Sequence, residues 1–382
     1  MKKTLLSSTA LAGAVMFAAG AASAGSVGTK DTMTVTMDGY HVFQMRTLDV
    51  SKNDTPNTSS DDRGRGYSFS TPEGEFGFTA QAKTEGGITY GFRTEIGTEA
   101  ISSDELYGFI KGDFGQVQFG NQDGAANMMN VGAGQANKTY QGVIGGTFGL
   151  SALDAEGGAG NAGLIRQDFE QSIYGDANKV IYLSPRFSGF QIGASWTPQT
   201  GSEGSDGFND GAGLTGSENV GDVAVNYVGE MQGASVKVSA STIFSDDQEA
   251  AGVDMEDYTV TAVGAVVSMS GFTVGASYRN NGDFGVARGA VAGSDGGSYV
   301  GIGAMYEMGP WVFNGHVARG KQDFGTATEQ SNSRFGVGVG YTVAPGWGVM
   351  LDYLDASANN IAGAANTDSD ASAIIFSNKF SF

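Results

Sequence analysis

Cysteine is absent from the 382-residue chain, which excludes disulfide bridges and thiolate metal centres as a means of holding it together. Histidine occurs only at His41 and His316. Neither stands at a recognisable spacing from a serine or an acid, and no Gly-x-Ser-x-Gly elbow occurs, so the sequence points away from an enzyme. Charged residues are scarce at 16%, and among them 21 Lys and Arg face 41 Asp and Glu. A formal net charge of −20 repels phosphate and argues against nucleic acid as a partner. Long apolar runs are missing everywhere except near the N-terminus, so membrane-spanning helices are excluded.

The one apolar run sets the expected compartment. Lys2 and Lys3 precede an apolar stretch from Leu5 to Ala19, and Ala22-Ser23-Ala24 follows with the small-x-small pattern of a signal peptidase site. The run is shorter than the ~20 residues of a spanning helix. Residues 1–24 therefore read as a cleaved export signal, and 25–382 as a single domain.

What is abundant is glycine, 62 residues, in a quantity that would damage helices at about 1 kcal/mol per interior site. It suits strands that pack closely or bend, and turns that need positive φ. Strand alternation runs through the chain to its end. In the terminal stretch Ile374, Phe376, Asn378, Phe380 and Phe382 share one parity, while Ala373, Ile375, Ser377, Lys379 and Ser381 share the other. Successive strand side chains point to opposite faces, so one face is apolar and the other polar. Upstream, the same alternation comes in pairs joined by tight turns. These are Thr84-Glu85-Gly86-Gly87, Gly112-Asp113-Phe114-Gly115, Ser184-Pro185-Arg186, the region of Glu230, Met269-Ser270-Gly271, Gly309-Pro310 and Ala344-Pro345-Gly346. One opening strand from Met33 to Met45, seven such hairpins and one closing strand make sixteen.

Tight turns alternate with mostly long polar loops, such as those from about Leu48 to Arg65, Gln199 to Asn219 and Asn281 to Gly297. One end of the molecule is thus trimmed and the other elaborated. Tyr67 and Phe69 fall out of parity with Phe76, which predicts a bulge or a loop arm between Tyr67 and Glu75. Strands of about 9–11 residues with aromatics near their ends match tilted strands crossing a bilayer. An even count lets first and last strands pair and abolishes the sheet edge. A soluble sandwich would need a packed core, whereas sixteen strands in one closed sheet enclose more space than side chains fill. The polar parity is rich in Gly, Ser and Thr, with isolated charges at Lys83, Arg93, Lys237, Arg279 and Arg334, and suits a wet lumen. The expected fold is all-β, a sixteen-stranded antiparallel transmembrane barrel in contact with membrane lipid.

Three blocks then carry a resemblance. Tyr107-Gly108-Phe109-Ile110-Lys111-Gly112-Asp113-Phe114-Gly115-Gln116-Val117-Gln118-Phe119-Gly120 is the first, and Val180-Ile181-Tyr182-Leu183-Ser184-Pro185-Arg186-Phe187-Ser188-Gly189-Phe190 the second. The closing Phe380-Ser381-Phe382 is the third. Together they resemble the general, non-specific porins of the Gram-negative outer membrane. The resemblance implies a multi-pass outer-membrane location, a homotrimer and passive diffusion of small hydrophilic solutes and ions. It also implies that Phe380 and Phe382 form the tag read by the outer-membrane assembly machinery.

Residues 122–172 lack clear alternation, and an unstructured connection that long is uncommon unless functional or disordered. It follows the fifth strand, where the resemblance implies a third long loop folded inward as a constriction. By that resemblance Asp154, Glu156, Asp168 and Glu170 stand on one side of the narrowing. Arg46, Lys83 and Arg93, on the lumen parity of the first three strands, stand on the other, with Lys237, Arg279 and Arg334 elsewhere along the lumen. Lys83 near a turn and Arg46 near a strand end also fit rim charges, and a loop acid in so acidic a chain also fits plain solvation. Acid lining a narrow pore favours cations. The alternatives are a substrate-specific porin and a non-channel barrel, an adhesin or structural protein. No cofactor is called for: acidic loops could hold calcium, but no ligand spacing such as an EF-hand loop is present, and no metal site is assigned.

Overall fold

The computed structural model describes residues 27–28, 33–52, 67–98, 102–139, 175–200, 216–245, 247–250, 253–360 and 369–382. The expected export signal, 1–24, lies outside them. Sixteen long strands follow one another in a single antiparallel sheet. They are β1 (Thr34–Lys52), β2 (Tyr67–Lys83), β3 (Thr89–Gly97), β4 (Ser102–Gly112), β5 (Gly115–Asn121), β6 (Asn178–Leu183), β7 (Phe190–Gln199) and β8 (Gly216–Met231). The second half comprises β9 (Ala234–Ser245), β10 (Tyr258–Met269), β11 (Phe272–Asn280), β12 (Ser298–Met308), β13 (Trp311–Gln322), β14 (Gln330–Ala344), β15 (Trp347–Asn359) and β16 (Ser369–Ser381). Three short pieces extend the sheet: Val27–Gly28 beside β1, and Asp247–Ala250 with Val253–Asp254 as a small hairpin beyond β9.

The sheet closes on itself. β16 pairs with β1 from Ser369↔Lys52 to Ser381↔Tyr40, so every long strand has two neighbours and no edge is left to aggregate. The pairing with β16 also carries β1 through Leu48 to Lys52, where the sequence reading placed the start of a polar loop. Five of the seven turns at the trimmed end have two residues. Gln232-Gly233 and Ser270-Gly271 both hold positive φ at each position, the type I′ geometry whose twist matches the flanking strands.

The two side-chain parities separate as the pattern requires. On β11, Phe272, Val274, Ala276 and Tyr278 are exposed while Thr273, Gly275, Ser277 and Arg279 are buried. On β16, Ile374 and Phe380 face out, and Ile375, Ser377 and Lys379 are buried on the inner face. At the trimmed end the outward aromatics pair across neighbouring strands: Phe272 with Tyr306, ring centroids 4.2 Å apart, Trp311 with Tyr341 at 4.7 Å, and Phe190 with Tyr227 at 5.0 Å. Such a girdle belongs at a membrane–water boundary, where a ring can keep its body in lipid and its polar edge wet.

Two bulges interrupt the ladder on the first strands. Between β1 and β2 the register passes from Val42↔Glu73 to Gln44↔Ser70, so Thr71 and Pro72 face Phe43 alone. Proline has no N–H for the ladder and fits there. The expected parity break between Tyr67 and Phe76 is this bulge inside one continuous strand. Between β3 and β4 the register passes from Thr94↔Leu106 to Ile96↔Ser103, so Asp104 and Glu105 face Glu95.

Candidate functional site

In the connection after β5, residues 122–139 run round the inner wall as one short helix, Ala125–Met128, and one 3-10 turn, Ala133–Ala136. Their backbone groups lack repeating partners of their own, and the wall supplies them. Ala126 N–H donates to Asp222 on β8 at 2.8 Å, Val131 N–H to Ser239 on β9 at 2.8 Å, and Ala133 N–H to Ser277 on β11 at 2.9 Å. In return Asn226 donates to the Met129 carbonyl, Ser239 to that of Val131, and His316 Nε2 lies 3.1 Å from that of Ala136. At the far end the Asn314 amide reaches Thr139 Oγ1 at 3.1 Å, and Lys138 pairs with Glu307.

These wall groups lie in a row because of the sheet's register. Asn226 stands opposite Ser239, Ser239 opposite Gly264, and Gly264 opposite Ser277; in the next row Gly275 faces Gly303 and Gly303 faces His316. Rows perpendicular to the strands thus combine hydrogen-bonding side chains with glycines. The segment laid across them is hereafter called the ledge.

The stem of this connection is clasped by one ammonium. Lys179, buried at the start of β6, donates from Nζ to the carbonyls of Ala177 (2.6 Å) and Gly175 (3.0 Å) on the returning chain, and to that of Gln122 on the departing chain. Enclosure beside it pushes the Asp123 carboxyl up, while a hydrogen bond from Asn127 and the charge of Lys179 pull the other way. Lys179→Met leaves three carbonyls without this donor at about 1 kcal/mol each. Faster proteolytic cleavage within 122–178, in a barrel whose β-sheet circular dichroism is unchanged, is the expected result.

The charges named from sequence divide by place. Arg93 lies on the inner face and crosses β2 to reach β1: Nη2 and Nη1 take Asp38 Oδ1 and Oδ2 at 3.0 and 3.1 Å, Nη1 also reaches Thr79 at 3.0 Å, and Nε pairs with Glu95. It can cross because the intervening residue is Gly77, where a Cβ would collide with both Asp38 and Arg93. Arg46 is half-buried on the same face near the far end of β1, and Lys83 is exposed beside the turn after β2. These bases do not form a row of their own. Asp38, Glu73, Glu75, Glu95 and Glu105 are half-buried among them, and the bulge at Glu95 brings carboxylate oxygens of Glu75, Glu95 and Asp104 within 4.8 Å of one another. Arg279 on β11 and Arg334 on β14 are buried on the inner face, and Lys237 on β9 is half-buried near its turn. Asp154, Glu156, Asp168 and Glu170 lie outside the described residues, as do 140–172 of the expected constriction loop.

The sequence reading missed the wall acids Glu75 and Glu105 and the ledge's anchors. Parity alone could have offered Asp38 and Glu95, which share the polar face with Arg93; the others depend on bulges and on strand order.

A closed sheet of sixteen strands, apolar outside, polar inside and girdled by aromatics, defines a membrane-spanning barrel that crosses with strands. The chain belongs to the Gram-negative porin family, whose model matches residues 7–375. It is an outer-membrane channel protein of Gram-negative bacteria. Solved structures agree in fold. OmpT, an outer membrane protein of Vibrio cholerae, superposes with a TM-score of 0.62 at 12% identity, over 93% of this chain and 99% of that one. An anion-selective porin from Comamonas acidovorans gives 0.60 at 13%, over 92% and 100%. The outer membrane channel DcaP of Acinetobacter baumannii gives 0.59 at 13%, over 93% and 99%. Comparison with curated proteins finds no match.

Proposed function

We propose that the mature chain, after loss of residues 1–24, is an open, water-filled channel for passive diffusion of small hydrophilic solutes and ions, with a preference for cations. The connection 122–172 narrows it. The observation that supports this reading best is the ledge, a segment held against the inner wall of the barrel by hydrogen bonds with Asp222, Asn226, Ser239, Ser277 and His316, with Ala126, Ala133 and Ala136 packed on apolar wall side chains between them. The charge of the whole chain, −20, supports the sign. Acid fixed along a bore raises the local concentration of cations and lowers that of anions.

We read it as a conduit and not an enzyme. His316 is engaged with the Ala136 carbonyl on the ledge, and His41 is exposed on the outward parity of β1, so neither is placed to serve a nucleophile. Three copies assembling through their outer walls complete the reading; a trimer form is among the solved structures of OmpT. Purified protein in a planar bilayer tests the whole. Ohmic conductance steps are expected, with a reversal potential in a KCl gradient displaced toward potassium. Silence removes the channel, and a potential displaced toward chloride removes the cation preference. On unheated detergent gels the trimer is expected to run as one large species that collapses on boiling.

A further inference from the structure

Four glycines on the inner face decide how close the ledge lies to the wall. A Cβ at Gly275 on β11 would stand 2.6 Å from the Gly132 carbonyl oxygen, and one at Gly303 on β12 2.6 Å from that of Ala133 and equally close to the His316 ring that anchors Ala136. At Gly264 on β10 it would overlap the Val131 oxygen, and at Gly193 on β7 the Met129 sulfur. None of the four has a positive φ. Backbone freedom therefore does not explain them, and clearance does. Each sits on a strand that meets the ledge, in or beside the rows that hold Ser239, Ser277 and His316.

We infer that these glycines set the narrowest cross-section of the bore, acting as positioning residues for solute size through the ledge they admit. The inference rests on the channel reading and adds to it the residues that fix its calibre. The direction of the effect follows from how the ledge is held. A methyl at 264 pushes on Val131, whose two bonds to Ser239 are worth about 1 kcal/mol each. Flanking bonds at Asp222, Asn226, Ser277 and His316 remain. The ledge therefore bows into the bore at the point of contact and stays attached on both sides of it. An added side chain on the wall narrows the pore although it does not itself face the solute.

Gly264→Ala and Gly303→Ala are each expected to lower single-channel conductance and to shift polymer exclusion toward smaller polyethylene glycols, with the heat-resistant form on gels retained. The native chain has no cysteine, so Ala133→Cys with Ser277→Cys gives a clean tether between ledge and wall. Full oxidation in the folded barrel, with conductance unchanged by the bond, is the expected result for a segment that already lies there. Unchanged conductance and exclusion in both alanine variants, or failure of the tether to close in a heat-resistant barrel, overturns the inference while the channel stands. If Gly264→Ala does not assemble, Gly303→Ala and the tether still decide. A wild-type protein that is silent in the bilayer overturns the channel reading itself, and the claim about calibre with it, even where the tether closes.

Discussion

Replacing Arg93 with methionine is expected to raise the preference for cations and to lower the temperature at which the barrel loses its heat-resistant form. Both effects come from the same geometry. The guanidinium is 19% exposed and holds Asp38 by two parallel bonds and Glu95 by a third. Without it Glu95, 15% exposed, is left without its cationic partner in an enclosed wall next to Glu75, with Asp104 within reach. Removing one partner of a buried ion pair costs about 3–5 kcal/mol. Asp38 is half open to solvent, which screens its share, so about 2–3 kcal/mol is the fair expectation. On the bore the change adds one uncompensated negative charge to a face already rich in acid, so the reversal potential in a salt gradient moves further toward potassium.

Arg93→Lys separates the two effects. It keeps the positive charge, and selectivity should stay near that of the wild type. A single ammonium cannot reproduce the fork that spans Asp38 and Thr79 across Gly77, and thermal resistance should still fall. Arg93→Met combined with Asp38→Asn should recover part of the stability. Selectivity unchanged in Arg93→Met places the residue outside the ion path and reduces the cluster to a structural role.

The alternation that specifies this barrel is legible wherever a strand has one wet and one greasy face. Phe272, Val274 and Tyr278 against Thr273, Ser277 and Arg279 place β11 with no knowledge of its neighbours, and Ser270-Gly271 marks the turn before it. The out-of-step aromatics at Tyr67 and Phe69 announce a bulge as well, although the residues that fill it, Thr71 and Pro72, follow only from the register against Phe43. Where structure depends on partners far along the chain, the signal fades. Leu48 to Lys52 reads as polar loop because its strand is imposed by pairing with β16. Residues 122–139 carry no period because seven separate strands, β7 to β13, decide their path. Arg93 shows the same division at one site. Its parity gives the face, while its partner Asp38 is two strands away and reachable only because position 77 lacks a side chain. Inner-wall glycines read from sequence as bends, and on five strands they serve as clearance.

Deleting Phe382 is expected to deplete the protein from the outer membrane while leaving the conductance of the molecules that do insert unchanged. Phe382 extends the closing seam by one step. Its N–H donates to the Gly39 carbonyl at 3.0 Å, the Gly39 N–H donates back at 3.3 Å, and its ring lies 6.0 Å from that of Phe76 on β2. Two backbone bonds at about 1 kcal/mol each and an aromatic pair at about 1 kcal/mol sum to a loss the finished barrel can bear, because thirteen further residue pairs join β16 to β1. The bore is lined elsewhere, so conductance has no reason to change. Assembly is a different matter, since the end of β16 has no β1 partner to shield it until the seam closes. Phe382→Ala keeps the backbone pair with Gly39 and removes only the ring. If the terminal aromatic is what the assembly machinery reads, alanine should deplete the membrane nearly as much as deletion. If the ring is merely an anchor at the lipid boundary, both variants should reach the membrane in normal amounts and differ only in heat resistance. Quantifying heat-resistant protein in outer-membrane fractions distinguishes the two. Gly39→Val supplies the control for the seam itself: its Cβ would stand 2.7 Å from the Glu75 carbonyl oxygen and 3.1 Å from the Phe382 ring, so it should weaken closure with the terminal aromatic intact.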